Sequence, residues 1–534
     1  MGMFPLFQAG NYLPISGSFF PSRWHPLPPY GIMAVQLLGG SGPFVRLLPG
    51  ENLPPEDIFH QEATIIMDAW DLIETRKDQL VADTAAFLRI PSLRADPQPG
   101  MPYGPGIAQA LDYFLNLAKE MGFAVKNGDG HYGAVDFGNS EEYVAVLAHL
   151  DVVPTGSGWD RDPFGGIVED GRLYGRGAID DKGPAMAVLH AMKALKDSGF
   201  VPAKRIRLVV GCDEEMDWGC MAHYTACESL PLCGFTPDAN YPLIYAEKGI
   251  SSFRLLGERQ ESSPLFQLVS LQGGEAVNVV CSLCQAVLRP AEGQRVTLLT
   301  AVQEEMERFG EMAQVEERDG LLQLTVQGIP AHGSTPEKGK NAASALMEIL
   351  GGLYRRSGGY SALVDFYNNT LQGETEGRGL GIAFQDEASG SLSCNVGIIR
   401  AAYDQSPQEE IRIDVRSPVT MPYEELCRRL GETCARYHRR WELLSHKDPI
   451  CTDPNSPLAQ TLMAVYREET GCMDSQPIAI GGGTYARAMP NIVAFGPLFE
   501  GEEELAHQKN EFISLDSLVK NCRIAAKALM RLAQ

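Results

Sequence analysis

The sequence predicts an α/β fold into which a second domain of mixed α and β structure is inserted. Two short apolar runs, residues 143–148 and 206–210, each lead into polar side chains, as the buried strands of an α/β sheet do. Between them, apolar residues recur at helical spacing over residues 183–199. From about residue 249 to residue 445 the pattern changes to alternating segments, such as 321–326, that are typical of half-exposed strands.

The length of 534 residues exceeds one ordinary hydrophobic core, so at least two domains are expected. Residues 1–66 are crowded with Pro, Gly and aromatic residues without helical or strand periodicity, and we interpret them as a poorly ordered extension. We predict that the folded chain begins near Met67 and that its first domain starts with residues 67–249. The inserted domain is predicted at 250–445, after which 446–534 returns to the first domain.

Helices are predicted near both ends of the first domain. From Asp68 the apolar residues recur with a period near 3.6, and Pro91 ends this helix. The helix at 183–199 has a proline in its first turn, where proline is tolerated, and a glycine at its end. The chain finishes with an apolar strand at 492–495 and a helix over 515–529 whose apolar residues share one face.

The charge of the chain limits the partners it can have. The 45 Lys and Arg residues stand against 68 Asp and Glu, and the net charge of −23 would repel nucleic-acid phosphates and anionic membrane surfaces. No stretch approaches the roughly eighteen apolar residues of a membrane helix, and the N-terminus lacks the pattern of a secretory signal. We therefore expect small peptides or other small molecules as partners, and neither nucleic acid nor membrane.

The twelve cysteines are scattered along the chain, which argues against a disulfide framework and favours a reducing compartment. Cys281 and Cys284 form a Cys-x-x-Cys pair, but no second pair stands at zinc-finger spacing. We interpret these two as buried or incidental thiols, and we predict a cytoplasmic location.

A histidine and an aspartate follow the first predicted strand. His149 and Asp151 lie two residues apart at its end, so their side chains can point the same way. One can bind a metal ion while the other orients it through a carboxylate–imidazole hydrogen bond. Catalytic zinc takes imidazole and carboxylate ligands and keeps one position open. The alternative is a surface His-x-Asp without a metal.

Three further acidic groups extend the candidate site. Asp180 and Asp181 precede the predicted helix, where they could cap it, or where a carboxylate could bridge two metal ions roughly 3.5–4 Å apart. Glu214 and Glu215 follow the second strand, and because adjacent residues there point in different directions, one can ligate while the other acts as a general base. A charged strand end is the alternative. Asp238, taken alone, is more typical of a turn than of a ligand.

Together these motifs resemble those of the dinuclear zinc peptidases and deacylases, which include carnosinase, aminoacylase and the ArgE and DapE deacylases. The closest layout is that of the PepV-type, Xaa-His dipeptidase-like enzymes, and the resemblance runs from about Asp68 to the C-terminus. It implies an aminopeptidase-like α/β sandwich catalytic domain interrupted by an inserted α+β lid domain. The implied roles are that His149 and Asp238 bind one metal ion, Glu215 and His507 bind the other, Asp180 bridges them, Asp151 orients His149, and Glu214 is the general base.

The inserted domain offers candidate substrate contacts. By the resemblance, His332 stabilises the transition state, Arg416 clamps the C-terminal carboxylate of the substrate, and Asn278 is a polar substrate contact. Backbone N–H groups of the glycine run at Gly482 and of Thr484 could approach the same carboxylate. From the residues alone, a structural histidine, an ion pair on the lid surface and a flexible glycine loop are the alternatives.

The expected function is that of a metal-dependent dipeptidase acting on short unblocked peptides. The resemblance implies attack of a metal-bridging hydroxide on the amide carbonyl, with Glu214 as general base. Two Zn²⁺ per subunit are expected, with Mn²⁺ or Co²⁺ as alternatives. The long lid resembles that of the monomeric PepV type, and this resemblance implies a monomer. An N-acyl amino acid deacylase that uses the same site is the alternative function. A non-catalytic peptide-binding relative is a third hypothesis, against which the complete set of ligands argues.

Overall fold

The structure is a computed structural model that describes residues 68–534 and two short strands before them. These strands, Ala34–Val35 and Val45–Arg46, pair with each other in antiparallel orientation. The predicted extension at 1–66 and the predicted start near Met67 otherwise lie outside the described residues.

The described chain forms two compact units. Unit 1 contains the residues up to Asp238 together with two later segments, Ala464–Met473 and Gly496–Gln534. Unit 2 contains Ala239–Met463 and Asp474–Phe495. The domain boundaries that we draw from the sequence, at 67–249, 250–445 and 446–534, stay a prediction.

The helices are numbered in chain order. Within the described residues they are α1 (Ala69–Thr75), α2 (Lys77–Leu88), α3 (Pro105–Glu120), α4 (Lys182–Asp197), α5 (Gly219–Cys227), α6 (Arg295–Met306), α7 (Ala342–Ser357), α8 (Ala362–Thr370), α9 (Tyr423–Arg436), α10 (Pro457–Thr470) and α11 (Leu515–Leu532). Short 3-10 helices lie at Glu307–Met312, Pro336–Lys338 and Tyr485–Ala488. In the part of the chain that the structure describes, no helix combines the length and the apolar character needed to cross a bilayer.

The strands are numbered in the same way. They are β1 (Ala34–Val35), β2 (Val45–Arg46), β3 (Ala124–Gly128), β4 (Tyr132–Phe137), β5 (Tyr143–His149), β6 (Ile167–Glu169), β7 (Arg172–Tyr174), β8 (Arg205–Gly211), β9 (Cys233–Thr236), β10 (Ala239–Asn240), β11 (Ile244–Glu247), β12 (Gly249–Glu258), β13 (Glu261–Ser262), β14 (Phe266–Gly273), β15 (Leu283–Pro290), β16 (Ala313–Arg318), β17 (Leu321–Gln327), β18 (Tyr360–Ser361), β19 (Gln385–Asp386), β20 (Gly390–Ser391), β21 (Ser393–Ala402), β22 (Gln408–Ser417), β23 (Arg440–Lys447), β24 (Ile450–Cys451), β25 (Ile478–Ile480), β26 (Ile492–Ala494), β27 (Pro497–Leu498) and β28 (Phe512–Ser514).

Unit 1 is built on a mixed sheet whose strands run in the order β9-β5-β8-β4-β3. Strand β5 pairs in parallel with both β8 and β9, whereas β4 pairs antiparallel with β8 and with β3. Every residue of β5 is buried, as its uninterrupted apolar run predicts. The carboxyl ends of β5, β8 and β9 therefore meet at one edge of the sheet, where open α/β sheets place their sites.

Helices cover the sheet of unit 1, and local sequence marks where two of them begin. The Asp68 carboxylate accepts backbone N–H groups at the start of α1, and the Ser514 hydroxyl does the same for α11. Helix α4 is buried on nearly all sides because it contacts β5 and β8 as well as α1, α2 and α11. It begins directly after Asp181, so the sheet and this helix together fix the loop before it.

A polar network joins the sheet to α5 near the start of β8, away from the carboxyl ends of the strands. Arg207 makes two hydrogen bonds of 2.8 Å to the Asp136 carboxylate and one of 2.8 Å to Glu228. Tyr132 donates to Glu228 at 2.7 Å, and Lys126 also donates to it. Burial raises the pKa of Glu228, but the hydrogen bonds from these three neighbours outweigh it and lower the pKa from 4.5 to about 2.

We expect this network to make unit 1 sensitive to acid. Because the folded-state pKa of Glu228 is lower than the ordinary value, its contribution to stability is present above about pH 4.5 and is lost as the pH falls towards 2. Glu228→Gln should destabilise the metal-depleted protein by about 1.5–3 kcal/mol at neutral pH. Thermal unfolding of both proteins between neutral pH and pH 3 should show their melting temperatures converging. A difference that does not change with pH would contradict this account.

Unit 2 contains an eight-stranded antiparallel sheet in the order β16-β17-β15-β14-β21-β22-β12-β23. Helix α7 packs on β15 and β17, and α6 and α8 pack beside it. Asn341 caps the start of α7, where its side chain accepts N–H groups of the first turn of the helix. Cys281 and Cys284, interpreted above as buried or incidental thiols, are both buried in this core. A smaller group of strands in the same unit pairs β11 with β24, β25 and β26.

Candidate metal centre

The ends of three strands of unit 1 bring the predicted ligands together. His149 is the last residue of β5, Glu214 and Glu215 lie in the turn after β8, and Asp238 follows β9 by two residues. Asp180 comes from the loop before α4. Because β5, β8 and β9 are parallel neighbours, side chains that are far apart in sequence share one small volume at the sheet edge.

His149 is completely buried, and its surroundings determine which nitrogen can bind a metal. Nδ1 lies 2.9 Å from the backbone carbonyl of Asp151, so it carries the proton and donates to that oxygen. In the neutral ring that a metal ion would bind, Nε2 therefore holds the lone pair. It lies 2.9 Å from Oδ1 of Asp180 and 3.7 Å from Oδ2 of Asp238.

The Asp151 carboxylate holds the turn that carries the two glutamates. Its Oδ1 accepts the backbone N–H of Glu214 at 3.1 Å, and its Oδ2 accepts that of Glu215 at 3.1 Å. The carboxylate itself lies 3.6 Å from His149 Nδ1, beyond hydrogen-bond distance, so the backbone carbonyl of Asp151 makes the closer contact. The predicted orienting role of the Asp151 carboxylate stays a prediction, and the structure adds a second task for it.

His507 meets two of the predicted acidic ligands. Its Nε2 lies 3.0 Å from Asp180 Oδ2 and 3.0 Å from Glu215 Oε2. Asp180 thus has one oxygen near His149 and the other near His507, which is the arrangement that a bridging carboxylate needs. Its own position is set by the loop before α4, where the peptide bond between Asp180 and Asp181 is cis.

Two groups of donors could each hold a metal ion, and His149 belongs to both. The first consists of His149, Glu214 and Asp238, and the second of His149, Asp180 and Glu215. Within each group the candidate ligand atoms lie within 4.8 Å of one another. Distance alone therefore places Glu214 among possible ligands, whereas the resemblance assigns it to proton transfer.

The electrostatics of the cluster fit a divalent cation. Burial raises the pKa of Glu214 to about 8 and raises the pKa of Asp238 well above its ordinary value. Burial lowers the pKa of His507, but hydrogen bonds to Asp180 and Glu215 outweigh this effect and raise it to about 11. Several negative charges buried together repel one another, so without a metal ion the carboxylates and histidines hold protons that reduce the net negative charge. Imidazole nitrogens and carboxylate oxygens are also ligands that zinc and manganese bind. The donor set fits the dinuclear metal centre that the resemblance implies.

Unit 2 brings together the predicted substrate contacts. Arg416 donates from Nε to the Asp414 carboxylate at 2.8 Å and from Nη1 to the carbonyl of Gly481 at 2.8 Å. The backbone carbonyl of Asn278 accepts the N–H of Gly333 at 2.7 Å, directly beside His332. A methyl group added to Gly333 would lie 2.7 Å from Asp414 Oδ2, so the histidine loop and the Arg416 pair are close neighbours.

The protonation of His332 follows from its own turn. The backbone N–H of Ser334 donates to Nδ1 at 3.3 Å, and the Ser334 hydroxyl lies 2.6 Å from the same nitrogen. A nitrogen that accepts an N–H bond must carry a lone pair, so in the neutral ring the proton sits on Nε2. His332 therefore presents a donor at Nε2, which is the type of group that stabilises a developing oxyanion.

Thr484 and Gly482 lie in a loop that Glu247 and Arg487 hold. Glu247 Oε1 accepts the Thr484 hydroxyl at 2.7 Å, and its Oε2 accepts the Thr484 N–H at 3.2 Å and Arg487 Nε at 2.8 Å. Arg487 in turn donates to the Gly482 carbonyl at 3.2 Å. The hydroxyl and the backbone N–H of Thr484 thus both bond to Glu247, and these bonds fix the end of the glycine run. Its contact with substrate, and that of Gly482, stay predictions.

The sequence profile of peptidase family M20/M25/M40 matches residues 145–531, which is more than half of the chain. The chain belongs to peptidase family M20. A relative of this M20 chain is the protein named "Putative dipeptidase YtjP" of Bacillus subtilis. The two are 37% identical over 472 residues, which is 87% of this chain and 100% of the relative. The expected membership of the dinuclear peptidase and deacylase family is confirmed.

Solved structures with the same fold confirm the predicted fold class. Human carnosine dipeptidase 1 superposes with a TM-score of 0.51 at 14% identity, over 87% of this chain and 98% of that one. Aminoacylhistidine dipeptidase from Vibrio alginolyticus does so with a TM-score of 0.50 at 14% identity, over 89% and 99%. The predicted architecture, an α/β catalytic domain with an inserted α+β lid, agrees with the mixed sheet of unit 1 and the antiparallel sheet of unit 2.

Three residues of this M20 site escaped the sequence analysis, and a fourth, Asp181, was considered there only as a helix cap or a bridging carboxylate. Asp181 is buried and accepts the backbone N–H of His149 at 3.1 Å, so its carboxylate does not cap α4. The Trp218 indole donates to the carbonyl of Glu214 at 2.6 Å. Glu511 and Arg176 form a buried ion pair at 2.6 Å. Of these four residues, Asp181 stands out in the sequence by its position next to Asp180, and Arg176 by the glycines on either side of it.

Proposed function

We propose that this M20 chain is a zinc-dependent dipeptidase that hydrolyses short peptides with free termini. The observation that carries the proposal is the pair of donor groups that share His149, to which the neighbouring residues Glu214 and Glu215 each contribute one carboxylate. The similarity to YtjP, which is named a putative dipeptidase, and to human carnosine dipeptidase 1 supports peptide substrates. Zinc suits a site of imidazole and carboxylate donors, and Mn²⁺ and Co²⁺ are the alternatives.

His149 and Asp238 would hold one cation, Glu215 and His507 the other, and Asp180 would bridge them. Two such cations supply Lewis acidity and bring the pKa of water at the site to about 7. The backbone of Glu214 is fixed by Asp151, which leaves its carboxylate available to take a proton from the attacking water. Glu214 then delivers this proton to the amide nitrogen of the departing amine, and the C–N bond breaks.

The residues of unit 2 would act on the substrate itself. His332 donates from Nε2 to the carbonyl oxygen of the scissile amide as negative charge develops on it. Arg416, aligned by Asp414 and Gly481, pairs with the C-terminal carboxylate of the peptide, and Asn278 adds a polar contact. A short peptide with a free C-terminal carboxylate fits these contacts, because Arg416 can bind the carboxylate while His332 reaches the scissile carbonyl.

A substrate panel tests the proposal. The chain is freed of metal with a chelator, reconstituted with Zn²⁺, Mn²⁺ or Co²⁺, and offered dipeptides, C-terminally amidated dipeptides, and N-acetyl and N-succinyl amino acids. We expect hydrolysis of free dipeptides, weak hydrolysis of the amidated ones, and no activity before metal is returned. Faster hydrolysis of the N-acyl amino acids would establish a deacylase instead. Metal binding without hydrolysis of any substrate would favour a peptide-binding relative.

The cytoplasmic location and the monomeric state stay predictions. Cell fractionation would test the first, and light scattering on the purified chain would test the second.

A further inference from the structure

Glu511 is a fully buried carboxylate in unit 1 whose contacts all reach one loop. Its Oε1 accepts hydrogen bonds from the backbone N–H groups of Gly177, Ile179 and Asp180, at 3.0, 3.0 and 3.3 Å. Its own backbone carbonyl accepts the N–H of Gly175 at 3.0 Å. One residue thus binds four N–H groups of the segment that ends at the candidate bridging ligand.

Arg176 occupies the other side of this carboxylate. Its Nη1 donates to Glu511 Oε2 at 2.6 Å, and the two side chains are 2% and 0% exposed. Its Nη2 donates to the carbonyl of Pro154 at 3.3 Å, and its guanidinium lies 5.4 Å from the ring centre of Trp159. The ion pair is therefore enclosed, and the four hydrogen-bond partners of the carboxylate, Arg176 and the backbone N–H groups of Gly177, Ile179 and Asp180, are all donors.

The backbone of the loop makes hydrogen bonds from the Ala178 N–H to the Gly175 carbonyl and from the Gly183 N–H to the Gly177 carbonyl, each at 3.1 Å, but neither of them holds Asp180. The loop lies between β7 and α4 and contains Gly175 and Gly177, the second of which has a φ of +90°, a conformation that favours glycine. Glycine retains more conformational freedom than other residues, so Asp180 would be poorly placed without added contacts. Glu511, for its part, lies four residues after His507.

We propose that Glu511 is a positioning residue for the metal centre. It ties the loop that carries Asp180 to the segment that carries His507, and so it sets the relative placement of these two ligands. The inference rests on the proposed function only in taking Asp180 and His507 as metal ligands. Glu511 acts through them and has no contact of its own with metal or substrate.

Glu511→Gln tests this role with little change of volume. Because all partners of the carboxylate donate, the amide must turn its NH₂ group towards another donor, either Arg176 or the loop backbone. We expect the affinity of the metal-depleted, full-length chain for Mn²⁺ to fall by about 10–100-fold in isothermal titration calorimetry, the usual cost of losing a residue that orients ligands. This readout does not depend on enzymatic activity.

Glu409→Gln is the matched control. Glu409 and Arg439 form an equally enclosed pair in unit 2, at 2.7 Å and with side chains 1% and 2% exposed. This variant should lower the melting temperature as Glu511→Gln does, but its Mn²⁺ affinity should stay within about twofold of the unmodified chain because Glu409 contacts none of the candidate metal ligands through its hydrogen bonds to Arg439 and Tyr403.

Two results would overturn the proposal. One is unchanged Mn²⁺ affinity in folded Glu511→Gln, and the other is an equal loss of affinity in Glu409→Gln, which would indicate a general loss of stability. If circular dichroism shows that Glu511→Gln does not fold, Arg176→Lys decides, since it keeps the charge but loses the contact with Pro154. We expect weakened Mn²⁺ binding in it, and unchanged binding refutes the role. Failure of the proposed function is seen separately, in the substrate panel with the unmodified chain.

Discussion

Glu214→Gln is expected to abolish measurable dipeptide turnover while both metal ions remain bound. Positioned general bases contribute about 10²–10⁴-fold to rate, so kcat should fall by that factor. The substitution keeps the shape of the side chain, and the turn should persist because Asp151 binds the backbone N–H of residue 214 and not its carboxylate. Steady-state kinetics with a dipeptide, together with elemental analysis for zinc, measure the two quantities on one preparation.

The zinc content distinguishes between two roles that the geometry leaves open for Glu214, that of a general base and that of a metal ligand. Glu214 belongs by distance to the donor group of His149 and Asp238, so loss of one zinc ion along with activity would reassign it as a ligand. Full activity in the variant would end the general-base assignment. Asp217→Asn, an exposed acid three residues further along, is the control and should change kcat by no more than about twofold.

His332→Ala should lower kcat by about 10²–10³-fold, the usual cost of removing one donor to a developing oxyanion. The physical reason is the proton on Nε2, which the Ser334 N–H enforces by occupying Nδ1. Because an oxyanion forms only in the transition state, KM should change much less than kcat. Initial rates over a range of dipeptide concentrations separate the two parameters, and zinc content should be unaltered.

His438→Asn is the control for this prediction. His438 is another exposed histidine of unit 2, and asparagine tolerates its φ of 55°. This variant should keep kcat within about twofold. A rise in KM with unchanged kcat in His332→Ala would instead assign the histidine to ground-state binding of the substrate.

Several residues of the candidate centre were predictable because they directly follow strands that the sequence pattern reveals. An uninterrupted apolar run ending at His149, and a second one leading to Glu214 and Glu215, indicate neighbouring buried strands whose polar ends meet. Asp238 shows the limit of this reasoning. Its Thr-Pro-Asp-Ala-Asn context is typical of a turn, and only the resemblance, not its local pattern, indicated that it belongs with His149.

The contacts that hold the centre were not predictable in the same way. The chain contains 68 acidic residues, and nothing local distinguishes Glu511 or Glu247 from the others. Each gains its role only when folding turns several hydrogen-bond donors towards it. These donors are mainly backbone N–H groups for Glu511 and mainly side chains for Glu247, and they come from segments more than two hundred residues away. Asp151 was predicted to face His149, but the direction of its carboxylate depends on where the turn after β8 passes.

By itself, then, the sequence determined the α/β class with its inserted domain, the acidic character that disfavours nucleic acid, and the order of candidate ligands along the chain. These features depend on periodicity and composition, which act over a few residues. Only the tertiary structure decided which nitrogen of His149 carries a lone pair, which acid binds the turn of the two glutamates, and which buried ion pair supports Asp180. Such choices follow from hydrogen bonds between distant segments, and a chain of many similar acids acquires them only when packing brings particular donors and acceptors together.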